Sequence, residues 1–188
     1  MQMRSLLIAL MPASLLAVSR AEVKEAAMAE FKLSSPCFSH NQPIPAKFTC
    51  EGQDVSPALK WDGAPAGTKS FAIVCDDPDA QRVAGFAWVH WVIWSIPATA
   101  TGLPENVART DIVPAIGGAR QGEDSSSRLG YGGPCPPRGR GVHHYRFKTY
   151  ALDMEPALKP RATKQQLEEA MRGHILAMAE LVGTYQRE

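Results

Sequence analysis

The chain is short of cysteine: Cys37, Cys50, Cys75 and Cys135 are the only four in 188 residues. None forms a Cys-x-x-Cys pair with another, which argues against a zinc ribbon or a thioredoxin-like dithiol motif. An excess of either charge is also missing. Twenty Lys and Arg face nineteen Asp and Glu, a formal net charge of +1, so no general field draws the protein onto nucleic acid or an anionic membrane. No apolar run reaches the roughly twenty residues of a transmembrane helix. There is no G-x-S-x-G elbow either, and Ser125, Ser126 and Ser127 fall in a loop-like stretch, which argues against Ser-His-Asp hydrolysis. What is present is ordinary for a globular domain: 45% hydrophobic residues, 15 Gly and 15 Pro without a strict period. That composition excludes a disordered or collagen-like chain.

The N-terminus reads differently from the rest. Arg4 precedes a largely apolar stretch at residues 5–18, interrupted by Pro12 and Ser14, and Ser19 and Ala21 are small residues at the minus-three and minus-one positions of a cleavage site. Residues 1–21 are therefore expected to be a signal peptide, and 22–188 a single domain in the periplasm or outside the cell; without a working signal the protein would be cytoplasmic. Cleavage after Ala21 removes Arg4 and Arg20 and reverses the net charge from +1 to −1. Export would also make one or two disulfides chemically reasonable.

After a helical-looking stretch at 22–30, short strands alternate with turn clusters, around residues 31–33, 47–50 and 59–61. Residues 70–75 and 88–97 are continuously apolar, as central strands covered on both faces are. Residues 145–152 alternate, as a half-exposed strand does. Residues 116–141, rich in Gly, Ser and Pro, form a loop long enough to suggest function. Thr163 and Gln166 make a capping box for one C-terminal helix, whose apolar rhythm runs through Leu167, Ala170, Met171, His174, Ile175 and Met178. Residues 179–185 could add a final strand. The expected fold is mainly β, with antiparallel sheets packed as a sandwich and a few peripheral helices.

Two segments hold polar groups that their surroundings do not explain. Asp76-Asp77-Pro78-Asp79 closes one apolar strand, and His90 lies within the next, where burial penalises its charged form. The glycine- and proline-rich run from Gly130 to Gly141 then leads into His143, His144 and Tyr145. On a strand His143 and Tyr145 share a face. If that strand lies beside the one bearing His90, then Asp77, His90, His143 and Tyr145 converge at one sheet end. Such donors and a glycine loop suit a small oxyanion, with Asp77 orienting an imidazole. A satisfied core histidine is an equally weighted reading of these residues. A mononuclear metal site from Asp77, His90 and His143 is disfavoured, because no pair has ligand-like spacing.

Asp77-Pro78-Asp79-Ala80, His90-Trp91, Gly132-Gly133-Pro134-Cys135-Pro136-Pro137 and His143-x-Tyr145-x-Phe147 resemble the phosphatidylethanolamine-binding protein family, in particular its bacterial and archaeal, Raf-kinase-inhibitor-like branch. Further matches are Phe48-Thr49-Cys50-Glu51-Gly52, Val55-Ser56-Pro57, Trp61 and residues 180–185, so the likeness covers about residues 31–187. It implies a compact antiparallel β fold with a small pocket for phosphate, acetate or phosphoryl headgroups. By the same resemblance, the ligand-binding residues are Asp77, His90, Cys135, His143 and Tyr145, with Asp79, Tyr131, Pro134 and Pro136 in support. Cys50 and Cys135 are the pair expected to lie close enough for a disulfide, with two reduced thiols as the alternative. Gln81 departs from the family's usual proline, and residues 82–87 look a few residues longer than usual, which changes the pocket rim. No extra C-terminal helix like that of animal members is expected.

The expectation is thus a non-enzymatic binding protein for a phosphate-like or carboxylate group, without cofactor or metal. It could act on a protein partner, and a homodimer is one candidate state. Inhibition of a protease or kinase through the rim around residues 81–87 is the alternative. Weak hydrolase or lyase activity with His90 or His143 as base ranks third.

Overall fold

The computed structural model describes residues 30–188; the expected signal peptide and nearly all of the helical-looking stretch at 22–30 lie outside them. Ten strands follow in order: β1 (Lys32–Ser34), β2 (Gln42–Pro43), β3 (Leu59–Asp62), β4 (Ser70–Asp77), β5 (Trp88–Pro97), β6 (Gly102–Leu103), β7 (Ile112–Val113), β8 (Ala119–Gln121), β9 (His143–Leu152) and β10 (Ile175–Tyr185). They form a three-stranded sheet, β1-β3-β6, and a seven-stranded sheet, β2-β10-β9-β4-β5-β8-β7. Every pairing is antiparallel except the two-residue contact of β2 with β10. Two helices flank the sheets: α1 (Gln81–Ala84) and α2 (Lys164–Met171).

The apolar runs of β4 and β5 have a cover for each face. Phe71, Ile73, Trp91 and Ile93 join Leu59 and Trp61 of the small sheet in the inter-sheet core. Ala72, Val74, Val92 and Trp94 face the other way and pack with Leu167 and Met171 of α2. Strand β9 is half-covered, and its alternating burial follows from that.

Two expectations are corrected. Residues 47–50 do not extend; Ala46–Phe48 is a 3-10 turn that buries Phe48. The C-terminal helix stops at Met171 instead of running through Met178, because Gly173 takes a φ of +81° that breaks the helix. His174 lies in the turn that follows, and Ile175 and Met178 belong to β10 and are exposed.

Candidate functional site

Three strand ends of the large sheet meet over the inter-sheet side: the C-terminal end of β4 and the N-terminal ends of β5 and β9. The expected juxtaposition is corrected in one respect, since β9 does not pair with β5. Strand β4 lies between them and places Asp77 in the middle.

The decisive local feature is a β-bulge. Cys75 pairs with Trp91 but Asp76 pairs with Val89, so His90 is the extra residue on β5. Strict alternation would send His90 to the α2 side, opposite Trp91. The bulge lets Trp88, His90 and Trp91 share the inner side while Val89 packs toward α2. The loop at residues 130–137 then docks on the bulge: Gly132 N–H donates to the His90 carbonyl at 2.8 Å, and His90 Nδ1 donates to the Gly132 carbonyl at 2.7 Å. Gly133 must lack a side chain, since a Cβ there would lie 2.5 Å from the Phe48 carbonyl oxygen.

Strand β9 contributes by plain alternation. His143 and Tyr145 point inward and His144 points outward. Asp77 uses both carboxylate oxygens: Oδ1 accepts from Ala80 N–H at 3.2 Å, capping the turn at Pro78–Ala80, and Oδ2 accepts from His143 Nδ1 at 2.7 Å. Asp79 does not line the cavity. It accepts from the backbone and ring of His144 at 2.9 and 2.8 Å, and ties the turn to β9. Burial pushes its carboxyl up, but those His144 hydrogen bonds outweigh it and the pKa is lowered.

Both imidazoles thus use Nδ1 on the protein and leave Nε2 for a ligand. Burial lowers the His90 pKa and so favours the neutral ring, against the Gly132 carbonyl, whose hydrogen bond favours the protonated one. Tyr145, its ring 5.1 Å from that of His90 in an edge-to-face arrangement, is buried with no partner for its hydroxyl. Burial first, then Asp77, raise its pKa, so it remains a phenol and a donor.

These groups open into a cavity of about 550 Å³ lined by Asp77, His90, His143 and Tyr145 with Cys50, Asp54, Ala80, Val83, Ala84, Trp88, Ser126, Arg128, Gly133, Cys135, Pro136 and Pro137. The Cys50–Cys135 disulfide is present, joining residues 85 apart in sequence; Cys37 and Cys75 are free. Pro136 is part of the wall. Pro134 acts through its carbonyl, which accepts from Cys50 N–H at 3.1 Å. Tyr131 lies behind the wall, donating to the Phe48 carbonyl at 2.9 Å and packed edge-on to Trp91.

Val83 and Ala84 belong to the rim expected at residues 81–87, whereas sequence reasoning passed over Trp88 and the polar rim of Asp54, Ser126 and Arg128. Arg128 is aimed by the buried Asp124, which accepts its Nε at 3.0 Å. Trp88 had a legible cue only as a strand residue, because the bulge that turns it inward leaves no mark in the hydrophobic pattern. Among the described residues no group of three His, Cys, Asp or Glu is arranged to hold a metal ion, and no helix is long and apolar enough to cross a membrane.

Comparison with known proteins identifies the family and the fold. The profile of the family described as phosphatidylethanolamine-binding protein matches residues 34–186. A UPF0098 protein of Methanothermobacter thermautotrophicus is 47% identical over 155 residues, covering 82% of this chain and 98% of that protein. The structure of Escherichia coli YbcL, described as a member of the mammalian PEBP family, superposes with a TM-score of 0.79 at 35% identity, covering 85% of this chain and 100% of that one. A PEBP homologue from Chlamydia trachomatis gives 0.75 at 35% identity, over 85% of this chain and 99% of that one. On the profile, the relatives and the fold together, the chain belongs to the phosphatidylethanolamine-binding protein family.

Proposed function

We propose that the chain is a binding protein whose cavity receives one small oxyanion, either phosphate, a phosphoryl headgroup or a carboxylate, without turning it over. The observation that carries this reading is Tyr145. Its hydroxyl is buried at the cavity without a hydrogen-bond partner, which costs about 1 to 3 kcal/mol until something accepts from it. Two imidazole Nε2 atoms line the same cavity. His143, backed by the Asp77 carboxylate, can donate to an oxyanion. His90, kept neutral by burial, can accept the proton of a partly protonated phosphate. That mixture of donors and an acceptor suits monohydrogen or dihydrogen phosphate particularly well. The exposed disulfide and the expected signal peptide favour an oxidising compartment, the periplasm or the cell exterior.

Thermal melts with and without inorganic phosphate test the reading. At a hundredfold excess over its dissociation constant, phosphate should stabilise the fold by about 2.7 kcal/mol, or roughly 5 to 10 °C in melting temperature. His143→Ala should lose that shift. If phosphate, acetate and phosphoethanolamine all leave the wild-type melt unmoved, the anion reading fails.

A second reading has its own observation. Val83 and Phe86 are 43% and 48% exposed beside the cavity mouth, with Phe86 stacked on Trp88 at 5.7 Å. An apolar rim of this kind suits a protein target, as an inhibitor would require. Val83→Ser with Phe86→Ser should abolish inhibition of such a target while leaving the phosphate-induced melting shift intact.

A further inference from the structure

The disulfide at the cavity mouth is not placed like a buried staple. Cys50 and Cys135 are both exposed, although Thr49, Pro134 and Pro136 around them are buried. Both sulfur-bearing residues line the cavity. The two sulfurs also differ in their surroundings. Arg187 Nη1 lies 3.5 Å from Cys135 Sγ, and the same guanidinium is fixed by Nε to Glu51 Oε1 at 3.1 Å and by Nη1 to the Pro136 carbonyl at 3.4 Å. Among the described residues no hydrogen-bond donor reaches the sulfur of Cys50. The chain segments joined by the bridge are held together without it as well: Cys50 N–H donates to the Pro134 carbonyl at 3.1 Å, and Gly133 N–H to Asp54 Oδ1 at 2.6 Å. These two hydrogen bonds do not depend on the sulfur–sulfur bond.

We propose that Cys50–Cys135 is a site of thiol–disulfide exchange with small thiols of the glutathione type, attacked at Cys50 and releasing Cys135. The thiolate of the incoming thiol forms a bond to Cys50 Sγ, the Cys50–Cys135 bond breaks, and its electron pair leaves on Cys135 Sγ. A fixed guanidinium beside that sulfur stabilises the departing thiolate, and the better leaving group directs attack to the other sulfur. A second thiolate attacking the mixed disulfide releases Cys50 and yields the oxidised small-molecule disulfide. Two electrons in all pass from two small thiols to the protein, and both cysteines end as thiols. The inference does not depend on the anion reading, since its readout is a map of adducts and not ligand binding.

The test is to treat the oxidised full chain with reduced glutathione at neutral pH, trap released thiols with N-ethylmaleimide, and map both labels by peptide mass spectrometry. Glutathione on Cys50 paired with maleimide on Cys135 should exceed the reverse pattern by on the order of threefold or more. Arg187→Gln should erase that bias and slow the exchange, and Arg187→Lys should restore it in part. Circular dichroism on the same samples checks that the fold is kept. An even split, a preference for Cys135, a bias unchanged in Arg187→Gln, or a bridge that opens only when the chain unfolds would each overturn the proposal.

Discussion

At the residue scale the site is a set of buried polar groups whose partners are only partly supplied by the protein. Tyr145 shows this in its sign. Tyr145→Phe removes a hydroxyl that the fold leaves unsatisfied, so the variant without ligand should be more stable than wild type by about 1 to 2 kcal/mol. The same change should weaken phosphate binding about tenfold, the worth of one hydrogen bond to a charged acceptor. Urea melts and titration calorimetry read the two effects separately; a destabilised variant would show that the hydroxyl is satisfied after all. His90 gives a pH signature. Burial lowers its pKa below the unfolded value of 6.5, so between those two values the unfolded chain binds more protons than the folded one. Its contribution is complete above about pH 6.5 and is lost as pH falls toward the folded pKa. Melting temperatures from pH 7.5 down to 5 should fall more steeply for wild type than for His90→Gln, and parallel curves would contradict this.

At the element scale the strands were legible and their irregularities were not. The runs at 70–75 and 88–97 predict β4 and β5, and the alternation at 145–152 predicts β9, because each pattern records how many faces are covered. Asp77, His143 and Tyr145 follow from that reading together with the family motifs. The bulge at His90 does not, since it arises where β5 must satisfy both its pairing with β4 and the docking of Gly132. The end of α2 departs from the apolar rhythm for a related reason: Ile175 and Met178 keep helical spacing with Met171, yet Gly173 lies between them and the pairing of β10 with β9 takes over. The start of α2 was legible to the residue. Thr163 Oγ1 accepts from Gln166 N–H at 3.3 Å and Gln166 Oε1 from Thr163 N–H at 2.9 Å, the capping box read from sequence. Thr163→Ala should cost about 1 kcal/mol in denaturant unfolding, with an unchanged slope.

At the scale of the whole molecule, two sheets and one covalent tie share the stabilisation. The bridge between Cys50 and Cys135 closes a long span, its ends 85 positions apart. The chain-entropy model gives it about 4.6 kcal/mol, chiefly by restricting the unfolded chain. A dithiol reductant should therefore lower the melting temperature by roughly 9 to 18 °C, while the near-ultraviolet circular dichroism of Trp91 and Trp94 at room temperature stays native. Loss of that signal at room temperature would mean that the hydrogen bonds between the two loops cannot hold the fold alone.

The strand order has a consequence in time. Asp77 and His143, which share a proton-bearing hydrogen bond, are 66 positions apart, and β9 reaches β4 only after residues 78–142 have been looped out. Such distant pairing is slow to find, because loop closure must precede any reward from contact. Refolding of the reduced chain is expected on the millisecond-to-second scale and not in microseconds. With the bridge intact, residue 135 is already tethered near residue 50, so β9 begins its search only eight positions from a fixed point. The oxidised chain should then refold faster than the reduced one, and the cavity should be among the last features to appear.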